Sequence, residues 1–207
     1  MMLRCFLLFA AAAGLLTGCL SRTDQTRFYL LSTPASAPAA VTERNKMFLV
    51  GLRVTSADYL RTKQMLVELG PNQTRLSEEN VWEETPRSGF NRVLADRFAQ
   101  TLPDCQLAAL PSAMTNTPEL VLEIELISLQ GRLKPKSEAE VSAEVRILDA
   151  SGHLLERTQL RQTSPWSPTA PPNGYPALAA AESLAATDLA DAIARKVSAC
   201  HRRMLER

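Results

Sequence analysis

Apolar and polar residues alternate along much of the chain, with the two-residue period of β-strands that bury one face. In the two clearest runs, residues 120–129 and 138–147, Leu, Ile, Val or Ala falls at nearly every second position, and mostly Glu, Ser or Arg lies between. Asp149, Ala150, Ser151 and Gly152 then have turn chemistry, so residues 153–163 are expected to return as an antiparallel strand. Three shorter strands are predicted at residues 27–32, 48–54 and 64–69.

The period changes to that of a helix in two places. From Pro86, the residues Phe90, Val93, Leu94 and Phe98 recur at helical spacing, and Pro103 marks the end. A second helix is predicted from about Asn173, a capping residue, to about Cys200; its apolar stripe consists of Leu178, Ala181, Ala185, Leu189, Ile193 and Val197. The order of strands and helices predicts an α+β fold: a mostly antiparallel sheet with two helices packed on one face.

The N-terminus has the pattern of a secretory signal. Arg4 is the only charge before position 22, and Cys5–Leu16 is an apolar run of 12 residues, too short to cross a bilayer. Leu16-Thr17-Gly18-Cys19 resembles the lipobox of bacterial lipoproteins. By that resemblance residues 1–18 are a signal peptide and Cys19 carries the lipid. Because Leu20 rather than Asp follows it, the expected location is the periplasmic face of the outer membrane.

The remaining 189 residues (207 minus 18) are enough for one domain with a core of its own. We expect a lipidated tether at 19–26, a single domain at 27–200 and a C-terminal tail at 201–207. Seven residues of the tether follow the lipidated cysteine, and they span at most ~25 Å. The chain has 23 Lys and Arg against 22 Asp and Glu, a balance that gives no indication of nucleic-acid binding.

Two cysteines remain beyond the signal and the lipidation site. Cys105 and Cys200 form an even pair in a compartment that favours oxidation, and we predict a disulfide between them. Such a bridge would contribute ~4–5 kcal/mol by constraining the unfolded chain. The alternative is two separate buried thiols.

Residues suited to catalysis or metal binding are sparse. His153 follows a turn, and His201 cannot face its neighbour Cys200 on a helix. No metal-ligand spacing, phosphate-binding glycine loop or nucleophile motif occurs in the sequence. We therefore expect no enzyme, no cofactor and no metal.

Two pairs of acids lie at alternate positions of the predicted strands. Glu123 and Glu125 share one strand face, and so do Glu138 and Glu140. Paired carboxylates serve acid–base catalysis in some enzymes, but the wet face of a sheet explains these pairs better.

Three aromatic residues are candidates for contact with a partner. Trp166 lies between prolines in the segment 164–173, where a partner contact and a lid over the sheet are equally good interpretations. Trp82 precedes the first helix; it is either a staple against the core or a contact. Tyr59, in a Tyr-Leu element, is the third candidate.

A series of short motifs follows the lipobox in a definite order. They are, in chain order, Phe28–Leu31, Leu52–Val54, Tyr59–Leu60, Gln64–Val67, Trp82–Glu84, Val93–Leu94 and Tyr175–Ile193. In order and spacing they resemble the PqiC/YmbA family, the ABC-type transport auxiliary lipoproteins, over nearly the whole mature chain.

This resemblance implies a non-catalytic envelope component. Such lipoproteins act with MCE-domain proteins, which build tunnels for lipid between the two membranes, and with an inner-membrane permease or integral membrane partner. The chain would be the docking or receiving end of the tunnel and support envelope integrity. We also expect a homo-oligomer, because one tethered domain of this size cannot form a lipid conduit and fill its own core as well, and closure of a ring satisfies every interface. Two alternatives stay open: a carrier domain that binds lipid itself, and an envelope hydrolase whose site is not evident in the sequence.

Overall fold

The structure is a computed structural model that describes residues 25–34, 47–110, 117–169 and 174–206. The predicted signal peptide, Cys19 and the capping residue Asn173 lie outside these ranges. The strands are β1 Arg27–Tyr29, β2 Phe48–Ser56, β3 Gln64–Gly70, β4 Gln73–Trp82, β5 Cys105–Ala109, β6 Leu120–Arg132, β7 Glu138–Asp149 and β8 Leu154–Pro165. The helices are α1 Pro86–Thr101 and α2 Tyr175–Leu205, and a short 3-10 helix spans Asp58–Arg61.

All eight strands belong to one sheet, with β6 at its centre. On one side β6 pairs antiparallel with β7, which pairs antiparallel with β8. On the other side β2 joins the first half of β6 in parallel and β3 joins its end. The strands β5, beside β2, and β1, reached through β4, complete the sheet. Most paired residues lie in antiparallel ladders, and the predicted α+β class is confirmed.

Both helices lie on one face of the sheet, as predicted, and the core fills the space between. The buried face of β6 and β7 has the alternation seen in the sequence, from Leu120 to Ile147. Small residues on α2, such as Ala185 and Ala186, are fully buried, which lets this helix approach the strands closely. The largest fully buried side chains are Phe90, Phe98, Met65, Leu94, Leu120, Leu122, Ile124, Leu126, Leu129, Ile147, Leu178 and Leu189.

A bulge in β6 resets its alternation. The pairing with β7 shifts between Leu126 and Ser128, so Ile127 is the extra residue. After the shift, Leu129 is buried against the helices and Ser128 pairs with Ser142, on the opposite face. Strict alternation from Leu120 would have placed Leu129 on the face of the sheet opposite the helices.

The structure also adds to the predicted elements. The strands β4 and β5 were not expected. The strand β4 has the sequence QTRLSEENVW, half of whose residues are exposed, and it is held by the hairpin with β3, whose turn includes Asn72 at φ 61°. The last helix continues past Cys200 to Leu205, so most of the expected tail 201–207 is helical.

Candidate functional site

The charged side chains of β2, β3, β6, β7 and β8 are concentrated on the face of the sheet that the helices leave uncovered. We call this surface the open face; within the described residues both helices pack on the opposite side. Glu123 bridges two strands, because its carboxylate accepts from Arg53 at 2.7 Å and from Arg146 at 2.9 Å. Beside it, Arg157 of β8 contacts Glu144 of β7 at 2.9 Å. Glu123 of the first predicted acid pair thus forms cross-strand ion pairs, as on the wet face of a sheet, and Glu125 is exposed.

A denser cluster lies at the end of β6, around Arg132. Its guanidinium is 3.1 Å from Glu68 and 2.8 Å from Glu140, and Arg161 contacts the same Glu140 carboxylate at 2.6 Å. Burial opposes the charge of Arg132, but the hydrogen bond to Glu140 and the surrounding carboxylates prevail and raise its pKa. The arrangement fixes the ends of β3, β6, β7 and β8 relative to one another and leaves no acid free for proton transfer here.

Tyr59 lies at the edge of this cluster. Its side chain is 47% exposed, and its hydroxyl donates to the carbonyl of the bulge residue Ile127. Partial burial, followed by the charges of Glu140 and Glu68, raises the pKa of the hydroxyl. The hydroxyl is therefore a neutral donor, and the ring stands available on the surface beside a charged cluster.

The two tryptophans behave differently from Tyr59. Trp82, at the end of β4, is part of the hydrophobic core and is nearly fully buried. The prediction of a partner contact at Trp82 is therefore wrong, because the side chain has no surface to offer. Trp166 is half-buried and packs against the same core, with its indole over Gly131 and next to Leu178. Of the two open interpretations, the structure favours the lid for Trp166.

The predicted Cys105–Cys200 disulfide is not present in the structure, where both thiols are free and buried. Cys200 on α2 donates to Glu156 on β8 and accepts from Arg203, at sulfur distances of 3.4 and 3.1 Å. Cys105 is the first residue of β5, and β5 and β8 lie on opposite sides of the central strand β6. Burial raises the pKa of the Cys105 thiol to about 12. The sequence shows that two cysteines remain to pair, but it does not show how far apart Cys105 and Cys200 lie in the fold.

The two histidines serve local structure. His153 is exposed and its ring lies 3.3 Å from Asp149 in the β7–β8 turn. His201 stacks on Phe48, with ring centroids 3.8 Å apart, and its Nε2 is 3.3 Å from Glu119. The His201 ring lines an open cleft of about 420 Å³ between the ends of α1 and α2. Its neighbour Cys200 faces another side of the helix, as the sequence indicated.

One buried acid was missed by the sequence analysis. Glu182 occupies the apolar stripe of α2, four residues after Leu178, and its side chain is fully buried without a hydrogen-bond partner for either oxygen. Desolvation raises its pKa well above the ordinary value and so favours the protonated carboxyl. A charged residue inside an otherwise apolar stripe was the available signal.

In the part of the chain that the structure describes, no three His, Cys, Asp or Glu residues are grouped so as to hold a metal ion. None of the helices within those same ranges has the length and apolar character needed to cross a membrane.

Comparison with known proteins assigns the fold to a family. The structure is similar to protein XCC0632 from Xanthomonas campestris, a DUF330 protein, at a TM-score of 0.72 and 12% identity, over 87% of this chain and 100% of that one. A second solved structure, of an uncharacterized protein, matches at a TM-score of 0.64 and 15% identity, over 84% and 99%. No curated protein matches. Residues 29–194 match the family described as ABC-type transport auxiliary lipoprotein component, and the chain belongs to that family.

Proposed function

We propose that this chain is a non-catalytic outer-membrane lipoprotein of an MCE-type intermembrane lipid transport system. It forms the docking or receiving end of the tunnel and so supports envelope integrity. It is anchored on the periplasmic face of the outer membrane through lipid on Cys19. Its partners are an MCE-domain tunnel protein and, through it, an inner-membrane permease or integral membrane protein.

The family match over residues 29–194 is the observation that carries this proposal. The match spans the sheet and most of both helices, so it describes the whole domain rather than one motif. An auxiliary transport component needs an anchor and a surface for its partner. The lipobox ending at Cys19 supplies the first, and the open face supplies a candidate for the second.

The packing of the core argues against a lipid carrier. Large apolar side chains such as Phe90, Phe98 and Met65 fill the space between the sheet and the helices. The cleft beside His201, about 420 Å³, is open and is lined by apolar side chains such as Phe48 together with charged ones such as Asp104. The charged groups in its wall disfavour the burial of an acyl chain, which needs an apolar wall.

The open face is a suitable surface for docking. Arg53, Arg146 and Arg132 are already paired with carboxylates of neighbouring strands, so a partner can cover these groups without leaving their charges unpaired. Tyr59 adds an exposed aromatic ring, a residue type enriched at interfaces. We propose that the MCE-domain protein contacts this face at Tyr59 and that copies of the lipoprotein assemble side by side around the tunnel.

Co-purification of the full chain tests the proposal. The tagged protein is captured from detergent-solubilised envelopes, and bound proteins are identified by mass spectrometry. Recovery of an MCE-domain protein supports docking. Recovery of no MCE-domain protein, together with bound phospholipid in equimolar amount, would instead favour the carrier. Light scattering of the purified chain measures its oligomeric state, and a monomer at all concentrations would contradict assembly.

A further inference from the structure

Apolar side chains lie on the surface where the folded domain begins. Phe28 is 64% exposed and Leu30 is 53% exposed, on β1 and directly after it. Their neighbours Tyr29 and Leu31 face the opposite way, because alternate residues of an extended chain point to opposite sides. Leu31 is buried, and the Tyr29 hydroxyl donates to Asn80 at 3.1 Å.

The segment that bears these side chains is firmly held from inside. The carbonyl of Leu31 accepts from Arg92 at 2.9 Å, and the amide of Ser32 donates to the Ser183 hydroxyl at 3.0 Å. The second bond also holds the segment against α2. Phe28 and Leu30 are thus two outward apolar side chains at the first described residues; we call them the N-terminal patch.

We propose that the N-terminal patch inserts into the interfacial region of the membrane to which the chain is anchored. The inference rests on the proposed lipid anchor at Cys19. From that residue to Phe28 the chain spans nine residues, so even a fully extended tether keeps the patch within ~32 Å of the lipid.

A bilayer is the favoured occupant for this patch because of that tether. Attachment through a short linker raises the effective concentration of membrane at the patch to the millimolar range, so that a contact too weak to act alone is populated. Phe and Leu are the side chains that enter the boundary between headgroups and acyl chains, to a depth of ~5–10 Å. The lipid and the patch together would fix the orientation of the domain, whereas the lipid alone would leave it free to rotate.

The orientation has a structural consequence. Between β1 and β8 the sheet order places β4, β3, β6 and β7. At ~4.8 Å per strand, β8 lies ~24 Å from β1 across the sheet. With β1 at the membrane, the strands β7 and β8 point into the periplasm, the direction from which a tunnel would arrive.

Site-directed spin labelling tests this inference. The full chain with Phe28→Cys or Leu30→Cys is purified from membranes and labelled, since Cys105 and Cys200 are buried and the Cys19 thiol would carry lipid. The matched controls are Leu154→Cys and Leu205→Cys, also exposed apolar positions. Collision rates with oxygen and with a water-soluble nickel complex are measured in vesicles of phosphatidylethanolamine and phosphatidylglycerol and in detergent-free buffer.

On vesicles, the labels at 28 and 30 are expected to become shielded from nickel and accessible to oxygen, while those at 154 and 205 stay accessible to nickel. Equal nickel accessibility at all four positions, with acylation verified by mass, would overturn the inference and leave the docking proposal intact. Shielding at 28 and 30 that also occurs without vesicles would assign the patch to a second copy of the chain. A mass without acyl chains would remove the anchor itself.

Discussion

The indole of Trp166 lies directly over Gly131. A Cβ placed on Gly131 would come within 2.9 Å of Leu178 Cδ1, closer than real Cβ atoms approach, and within 3.1 Å of Trp166 Cζ2, a tight contact. The loop after β8 therefore closes over the end of β6, and α2 packs on the same spot. Through this contact, Trp166 covers the edge of the hydrophobic core.

Replacement of Trp166 by Ala is expected to destabilise the domain by about 2 kcal/mol, less than the loss for a fully buried tryptophan. Urea unfolding followed by circular dichroism measures the change. The conservative variant Trp166→Phe should retain most of the stability, because it keeps a ring over Gly131. A Trp166→Ala domain with unchanged stability would show that the indole has no structural role.

Gly131→Ala tests the same contact from the sheet side. The added methyl group has no room between Leu178 and Trp166, so a loss of about 1–3 kcal/mol is expected. Gly70→Ala is the matched control, since a Cβ at Gly70 meets nothing within 4 Å. Thermal unfolding of both variants distinguishes the sites, and equal melting temperatures would contradict the packing described.

Glu182 makes stability depend on pH. The folded state keeps the carboxyl protonated above its ordinary pKa of 4.5, whereas the unfolded chain releases the proton near that value. The free energy of unfolding should therefore fall as the pH rises above 4.5, by up to about 1.4 kcal/mol per pH unit, until the folded-state pKa is reached. Urea titrations at pH 5 and pH 8 measure the slope.

Glu182→Gln should remove this contribution to the pH dependence, because an amide has no proton to release in this range. Glu125→Gln, on the exposed side of β6, serves as the control for loss of an acid. A Glu182→Gln chain whose stability falls with pH as steeply as that of the natural chain would refute the assignment.

Arg97 and Asp191 join the two helices by a pair of parallel hydrogen bonds of 2.8 and 2.9 Å. Both side chains are mostly buried, so the geometry is worth more than that of a surface ion pair. Asp191→Asn is expected to reduce stability by about 1–2 kcal/mol. A double-mutant cycle with Arg97→Gln isolates the pair, and a coupling energy near zero would show that the two residues act independently.

Both cysteines are expected to be free thiols in the exported protein. Alkylation without reductant should modify neither Cys105 nor Cys200 in the folded chain, because both are buried, and should modify both in urea. Mass spectrometry reads the number of adducts. An unfolded, unreduced chain that takes up no reagent at either position would restore the disulfide predicted from the sequence.

The sequence predicts much of this fold because most elements carry their own periodicity. The alternation in β6 and β7 and the helical spacing from Phe90 to Phe98 each reflect a face that must be buried. The polar strand β4 escapes prediction for the opposite reason. It buries few side chains of its own and exists because β3 and β1 pair with its backbone.

The candidate site could be predicted only in part. The acids of the open face were evident at alternate positions, but their arginine partners come from other strands, and the register depends on the bulge at Ile127. The exposure of each side chain determines which aromatic candidate can contact a partner. The sequence offers no feature that separates Trp82 from Tyr59, yet Trp82 is buried and Tyr59 is on the surface. Tertiary packing determines that difference, and no local pattern records it.

Photo-crosslinking in living cells is the most direct test of docking. A photoreactive phenylalanine is placed at position 59 of the full chain, with the exposed position 154 as the matched control, and adducts formed on irradiation are identified by mass spectrometry. The account predicts an adduct between position 59 and an MCE-domain protein, and a weaker one or none at 154. Cells that make the MCE-domain protein but give no such adduct at position 59 would contradict docking through the open face.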